Sequence, residues 1–543
     1  MHTILTFSDL LSRSTELFAE RDAFRYRYLK GYKSISYKDF EADVLALSSW
    51  LKVNGLSSNH IAVVGENSYH WVVVYMATVV SGGTIVPVDK ELSTVEMANV
   101  ITQSEAKALF CSEDYLEVAD ELKQTFDIPF YAINCDQCDQ YTPLSDLLVQ
   151  GTSLYVKDPS LARGEKWPQD VASIVFTSGT TGFSKGVMLT RENLISNVLS
   201  SDEFIQLGDC VLSVLPMSHT YEFTLDILFS IYQGRTIAIN NSIKNFAQNI
   251  KLFAPTDMLL VPLVAVGIYN NIWNGIRAQG KEKLVRTMIV VSNTLRILGI
   301  DLRRKLFKSI LDALGGRLNA LFVGGAPVEP SLVKGFGDLG IQVNIGYGIT
   351  ECSPLVNGNI TGKPKYSDTC GVSMPHVEIR INQPNEKGEG EIEVRGKSVM
   401  VGYYKNEAAT KKAFHDGWFR TGDIGRVDKR GNLHITGRLK NLIVLKNGKN
   451  VYPEELESII EKITPVKEVV VGASGNGASE ELFIRADIFI DPETELSKQA
   501  SQDKIRKEIE QLNNNLPYYK RIAAVTFRDK EFAKTTTKKI KRF

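Results

Sequence analysis

Apolar positions along the chain fall into two rhythms. In "SYKDFEADVLALSSWLKVNG" they recur every three or four residues up to Gly55, which predicts an amphipathic helix stopped by glycine. "HIAVVGEN", "GTIVPVD" and "AKALFCS" are short apolar runs closed by polar residues, and they predict buried strands. Strands that alternate with helices imply a parallel sheet covered by helices on both faces. "DVASIVFTSGT", "DCVLSVLPMSH", "RTIAI" and "DMLLVPL" continue this texture to about residue 265. "RLNALFVGGAP" and "IQVNIGYGITE" add two strands that run into glycine.

The rhythm changes near residue 370. "HVEIRINQPNEKGEGEIEVRGKSVMVGYY" reads as short strands joined by polar turns, with no room for crossover helices, so an antiparallel sheet or barrel is expected over about residues 370–435. Beyond Lys440 come a helix, "VKEVVVGA", "ELFIRADIFI", the charged helix "QDKIRKEIEQLNN" and "IAAVTF". These predict a compact α+β unit of about 100 residues. The expected organisation is a large α/β domain over 1–439, rich in parallel sheet and carrying the small antiparallel subdomain, followed by a small α+β domain over 440–543 with a hinge near Lys440.

A chain of 543 residues exceeds one simple core and calls for two or more domains. Its 43% hydrophobic and 23% charged residues are ordinary for a globular protein. The formal net charge is zero, which argues against an extended nucleic-acid groove built on phosphate contacts. Six scattered cysteines are too few for a disulfide scaffold and fit a reducing compartment. Cys135 and Cys138 form one C-x-x-C, but no second pair stands at zinc-like spacing, so two free thiols in a loop are expected. The start of the chain lacks a basic segment followed by an apolar run, so a secretory signal is not supported. The most apolar stretch, Trp71 to Asp89, is broken by Gly82, Gly83 and Pro87 before it could span a bilayer. A cytoplasmic protein follows, with peripheral membrane contact left open.

"IVFTSGTTGFSKGVMLT" follows an apolar strand. Thr177, Ser178, Thr180, Thr181 and Ser184 supply hydroxyls, and Gly179, Gly182 and Gly186 let backbone N–H groups approach a ligand closely. With the charge of Lys185, this donor-rich loop suits a polyphosphate. It is not the G-x-x-x-x-G-K-[ST] loop, because Phe183 and Ser184 separate Gly182 from Lys185. The plain alternative is a polar surface loop. Gly472, Gly475 and Gly477 only mimic a dinucleotide loop: their spacing is wrong and a strand follows, so they are read as a solvated turn.

"FTSGTTGFSKGV", "GYGITECSP", "GWFRTGDIG" and "ITGRLKNLIVLKNGKNVYPEELE" occur in that order. Together they resemble the adenylate-forming superfamily of acyl-CoA synthetases, luciferases and peptide-synthetase adenylation domains, over essentially the whole chain. "LPMSHTYE", "VGENSYHWVVVYMA" and "VPVD" are similar to segments of the long-chain fatty acyl-CoA synthetase branch. The resemblance implies ATP, Mg2+ and CoA as partners in two half-reactions. A fatty acid carboxylate attacks the α-phosphate of ATP, and a thiol then displaces AMP from the acyl-adenylate. Because an anion approaches an anion, cations and donors placed in advance are the main catalytic need.

By the same resemblance, Thr177, Ser178, Gly179, Thr180, Thr181, Gly182 and Lys185 grip the β- and γ-phosphates. Thr177 and Glu351 are the magnesium contacts, and a carboxylate suits that hard ion. Tyr347 stacks on adenine, with Gly324, Gly325, Gly346, Gly348 and Thr350 around it. Asp423 accepts from the ribose hydroxyls, and Arg438 donates to the same sugar. His219 lies beside the acyl carboxylate; outside this context it would be read as a satisfied core residue. Lys440 is the hinge about which the small domain swings between half-reactions. Gly448 is the close-approach point for the pantetheine arm.

Six of the last fourteen residues are Lys or Arg, which alone would read as a solvated basic tail. In register with the family's C-terminal motif, "AKTTTKKIKR" makes Lys539 the catalytic lysine and Lys538 the runner-up. The motif's Pro and Gly are replaced here by Ala533 and Lys538. Two other roles share these motifs: transfer of the acyl group to an acyl-carrier protein, and an inactive nucleotide-binding homologue. Retention of Lys539, Glu351 and Asp423 weighs against the inactive reading.

Overall fold

The computed structural model describes residues 4–135, 138, 140–165, 167–177, 184–360, 367–445, 450–474, 483–534, 540 and 542. They fall into two compact units: Met1–Glu378 with Arg395–Phe419, and Ile379–Val394 with Arg420–Phe543.

Two large sheets build the first unit. The eight-stranded sheet runs Gly402–Tyr403, Lys185–Thr190, Val171–Thr177, Thr84–Pro87, His60–Val64, Ala108–Ser112, Phe130–Ile133 and Thr142–Pro143. It is parallel from Val171–Thr177 onward and antiparallel at the Lys185–Thr190 edge. The nine-stranded sheet has a parallel centre, in which Thr236–Ile239, Cys210–Ser213, Asp257–Leu260, Ala320–Val323 and Gln342–Gly348 lie in that order. The central strands are mostly apolar because both of their faces are covered. Ala108–Ser112, for example, is buried at every position.

Helices supply the covers. Tyr37–Val53 begins at Ser36, whose side chain accepts from the Asp39 N–H, and ends before Gly55 at φ +71°. Tyr69–Val80 is buried at every position but His70. It packs against the helices Phe7–Phe18 and Tyr37–Val53 and the strands His60–Val64 and Thr84–Pro87. A twelve-residue helix this apolar on all sides is therefore a core element. Gly82, at φ +95°, turns the chain back into the sheet, and a Cβ there would sit 2.8 Å from the Gly164 carbonyl oxygen. Among the described residues, no helix is long and apolar enough to cross a membrane.

The antiparallel sheet expected after residue 370 is present. It has five strands: Val377–Asn382, Gly390–Gly396, Phe414–His415, Trp418–Val427 and Leu433–Arg438. In the second unit Val466–Ser474, Phe483–Ile490 and Ile522–Arg528 form a further sheet, antiparallel and then parallel. Ile484, Ala486 and Ile488 alternate onto one face. With Val469 and Val471 they pack against Leu456 and Ile460 of the helix Pro453–Ile460 and Ile505 and Ile509 of the helix Lys498–Asn515. A sheet covered on one face needs only every second residue apolar.

Candidate functional site

The antiparallel hairpin Val171–Thr177 and Lys185–Thr190 ends with Thr177 opposite Lys185. The Thr177 hydroxyl donates to the Lys185 carbonyl at 3.5 Å. The hairpin thus holds both ends of the glycine-rich loop; Ser178, Gly179, Thr180, Thr181 and Gly182 lie outside the described residues.

On the outer side of this hairpin, Gly402–Tyr403 pairs with Val187 and Met188. That pairing sets Tyr403 between two of the expected motifs. Its ring lies under Lys185 Nζ at 4.7 Å, and its hydroxyl donates to Glu351 Oε1 at 3.0 Å. Burial, together with the neighbouring Glu351 charge, raises the phenol well above its usual pKa, so it stays a donor. Glu351 itself sits in the short turn Thr350–Cys352, whose backbone is fixed where Met400 N–H donates to the Glu351 carbonyl at 2.8 Å. Lys185, Tyr403 and Glu351 form one contact chain between residues far apart in sequence.

Gln342–Gly348 brings Gly346, Tyr347 and Gly348 to the same region, with Tyr347 mostly buried. A Cβ on Gly348 would stand 2.2 Å from the Pro354 carbonyl oxygen, so the turn into Glu351 needs glycine. Gly324 is similarly crowded: a Cβ there would be 3.3 Å from both the Gly346 carbonyl oxygen and the Tyr221 hydroxyl. Tyr221 donates to the Phe322 carbonyl at 3.0 Å and lines a cavity of about 40 Å3 with Leu225, Phe229, Leu259, Phe322 and Leu355. Gly325, at φ +85°, turns the chain out of the strand Ala320–Val323.

His219 is not part of this contact chain. It begins the short helix Thr220–Glu222, and its Nε2 lies 3.7 Å from Asp89 Oδ2, two residues beyond the strand Thr84–Pro87. Tyr403, Asp89 and Tyr221 are the residues that sequence reasoning missed as parts of a site. Asp89 was in view as the end of "VPVD", and Tyr221 within "LPMSHTYE", but neither segment shows its partner. For Tyr403 the pair of tyrosines in "VGYY" was the one local signal.

In the second unit, Asp423 and Arg438 face each other across adjacent strands, with Arg438 Nε 2.8 Å from Asp423 Oδ1. The turn before Asp423 is braced: Arg420 pairs with Glu391 at 2.6 Å, the Gly422 N–H donates to the same carboxylate, and Thr421 Oγ1 donates to the Ile392 carbonyl. Lys440 is exposed in the turn Leu439–Asn441, which Asn441 ties to Glu454 at 2.6 Å. Gly448 lies outside the described residues.

The basic tail is anchored on both flanks. Lys534 pairs with Glu468 and Glu531, and its backbone bridges to Ile540. Arg542 reaches Glu457 and, at 3.5 Å, Glu454. These carboxylates assign Lys534 and Arg542 to holding the tail. Lys538 and Lys539 lie outside the described residues.

A family model described as AMP-binding enzyme matches residues 11–404, and one described as AMP-binding enzyme C-terminal domain matches residues 440–543. The chain is 28% identical to fatty acyl-CoA synthetase B of Dictyostelium discoideum, over 95% of this chain and 81% of that protein. It is 29% identical to the long-chain-fatty-acid--CoA ligase FadD15 of Mycobacterium tuberculosis, over 80% of this chain and 74% of that one. Among solved structures, ATP-bound MatB from Rhodopseudomonas palustris matches with a TM-score of 0.77 at 23% identity, covering 98% of this chain and 96% of that one. A likeness at that identity carries the fold: a large domain rich in parallel sheet and a smaller C-terminal one.

Proposed function

The chain belongs to the AMP-binding enzyme family, and we propose that it activates a fatty acid as an acyl-adenylate and passes the acyl group to coenzyme A. The observation that carries this reading is the contact chain from Lys185 through Tyr403 to Glu351. It joins a cation at the root of the glycine-rich loop to a carboxylate beside the adenine-side strand. A polyphosphate needs such a pair: a positive charge for its oxygens and a hard oxygen ligand for its counter-ion.

Magnesium fits this donor set. Among the described residues no three His, Cys, Asp or Glu side chains gather into a protein-only metal site. One carboxylate and one hydroxyl, Glu351 and Thr177, suit an ion that takes its other ligands from water and phosphate. When bound, the ion would neutralise phosphate charge.

The protein's own work is positioning. Lys185 and the loop N–H groups would hold the β- and γ-phosphates while the acyl carboxylate approaches the α-phosphate. A unit charge about 4 Å away contributes roughly 4 kcal/mol at an effective dielectric near 20, so two or three placed cations outweigh any acid–base step. Lys539 would stabilise the charge gathered at the α-phosphate. Asp423 would hold the ribose hydroxyls, already oriented by Arg438. His219 would face the acyl carboxylate. The cavity beside Tyr221 supports an apolar acyl site. Its volume of about 40 Å3 is far below the roughly 300 Å3 of a small-ligand pocket, so a long chain would enter only as lining side chains such as Leu225 and Phe229 move. Rotation of residues 440–543 about Lys440 would exchange the two half-reactions.

Palmitate-dependent exchange of pyrophosphate into ATP tests the first half-reaction, and no exchange with any carboxylic acid would sink the proposal. Lys539→Ala should abolish that exchange yet leave thioester formation from preformed acyl-adenylate largely intact. Lys538→Ala should do much less. Comparing CoA with a holo-acyl-carrier protein as acceptor tests the second half-reaction.

A further inference from the structure

The strand Gln342–Gly348 places an asparagine in a wall otherwise suited to hydrocarbon. Asn344 and Gly346 both line the cavity beside Tyr221, and Phe322, the register partner of Asn344, lines it too. Asn344 is 4% exposed, and its Oδ1 has no hydrogen-bond partner among the described residues. Of the buried side-chain oxygens left in that state, it is the one that lines this cavity. Buried polar groups are nearly always paired, so an orphan beside open space calls for an occupant. The other polar side chains of the wall are engaged. The Tyr221 hydroxyl donates to the Phe322 carbonyl at 3.0 Å, and Asn359 Oδ1 accepts from the Ile345 N–H at 2.8 Å.

The occupant must bring a hydrogen to Oδ1. A keto oxygen only accepts. An ammonium group would lose its hydration beside Leu225, Phe229 and Leu259, and no carboxylate lines the cavity to pair with it. A hydroxyl donates to Oδ1 and accepts from the amide's own N–H groups. A lone water has the same chemistry, but it is held by about two to four polar partners, and most of this wall is carbon. We propose that the acid this chain activates carries a hydroxyl along its hydrocarbon, and that Asn344 recognises it. The inference rests on the acyl-activation reading and narrows its substrate to hydroxylated fatty acids. A plain chain would press methylenes against the same oxygen and leave it unpaired. A pocket that hydrogen-bonds a substrate hydroxyl discriminates against the analogue without it. Asn344 is held by its strand, so its place does not depend on the side chains that move to admit the chain.

Pyrophosphate exchange with decanoate, and with decanoates hydroxylated at each successive carbon, tests this. At one or two neighbouring positions the hydroxy acid should exceed decanoate in kcat/KM by about tenfold or more. N344L removes the amide at nearly constant volume. It should bring that ratio to one or below and raise the rate with decanoate, without lowering the thermal midpoint, because hydrocarbon replaces an unpaired amide. A second measurement needs no turnover: with a non-hydrolysable ATP analogue present, the favoured hydroxy acid should raise the parent's thermal midpoint more than decanoate does. Decanoate that matches every hydroxy acid in both measurements would overturn the proposal. So would a preference that N344L retains, since the hydroxyl would then be read elsewhere. If N344L does not fold, the parent's two measurements decide. Absence of exchange with every acid would count against acyl activation. In that case a midpoint ranking that still favours a hydroxy acid would keep the recognition by Asn344, and an equal ranking would end it.

Discussion

Two carboxylate–arginine pairs, one in each unit, show how differently the same chemistry is used. In the first unit Glu165 and Arg191 meet at 2.9 Å with their side chains 2% and 1% exposed. Every direction is taken. Glu165 accepts from the Phe7 and Ser8 N–H groups and the Ser8 hydroxyl, at the start of the helix Phe7–Phe18. Arg191 donates onward to the carbonyls of Val171, Val79 and Gly83. In the second unit Asp423 is 4% exposed but Arg438 is 55% exposed, so that pair opens on one side to solvent. A saturated buried pair ties elements together. A pair open on one side keeps capacity for a ligand.

Removing the arginine from each pair breaks the comparison at its extremes. Arg191→Ala would leave Glu165 buried opposite nothing, and burial already raises its carboxyl despite the help of Ser8 and Arg191. The expected loss is about 3–5 kcal/mol in urea unfolding, the range for stranding one half of a buried pair. A loss below about 1 kcal/mol would show that the core reorganises around the gap. The corresponding change in the second pair should be the smallest of the set.

A third arrangement sharpens the contrast: Glu222 and Asp226 are fully buried, and among the described residues no arginine hydrogen-bonds to them. They lie at the start of and within the π-helical segment Phe223–Leu228. Ser213 donates to Glu222 at 2.5 Å; Arg235, the nearby cation, is engaged instead with Asp257 at 3.0 Å. Burial pushes the Asp226 carboxyl up to about 7 against the pull of Arg235, and raises Glu222 through burial and the Asp226 charge. Here the answer to burial is protonation. An unfolded Asp titrates near 3.9. The stability this group contributes is therefore complete below that value and is lost as pH rises through about 7. As pH rises from about 4 to about 7, stability should fall by up to about 1.4 kcal/mol per pH unit for this proton, and its contribution should level off above that. Asp226→Asn should flatten that slope and raise the thermal midpoint at pH 8 relative to the parent. An unchanged slope would mean that these carboxyls do not titrate there.

Tyr403→Phe probes the contact chain between Lys185 and Glu351. The ring under Lys185 stays, and only the hydrogen bond to Glu351 is lost. About 1 kcal/mol, or roughly five-fold, is expected in kcat/KM for ATP in the exchange assay, with little change in unfolding. An undiminished rate would show that Glu351 is placed by its backbone alone.

The fold was legible because its rhythm is local. Continuous apolar runs such as "AKALFCS" announced strands covered on both faces, and the polar turns of "NQPNEKGEG" announced the antiparallel sheet. The motif residues were legible because family resemblance preserves their order. What escaped was pairing. Tyr403 reaches Glu351 because Gly402–Tyr403 adds itself to the edge of the strand Lys185–Thr190. Asp89, just beyond the strand Thr84–Pro87, meets His219 at the start of the helix Thr220–Glu222. Neither partner is near in sequence. Likewise, the glutamate of "LPMSHTYE" carries no sign that a second acid one helical turn later would share its burial.

Arg438→Ala returns to the open pair. Arg438 lies largely in solvent over a nearly buried Asp423, and the strand pairing that fixes Asp423 belongs to the backbone. Deleting the guanidinium uncovers the carboxylate to water instead of stranding it, so the solvation lost on folding is largely restored. Pairs with an exposed partner contribute about 0–1 kcal/mol. Unfolding of Arg438→Ala should accordingly stay within about 1 kcal/mol of the parent, while the KM for ATP rises if the guanidinium also meets the ribose. A loss of stability approaching that of Arg191→Ala would mean that Asp423 is sealed, and the distinction between a pair that ties and a pair that waits for a ligand would fail.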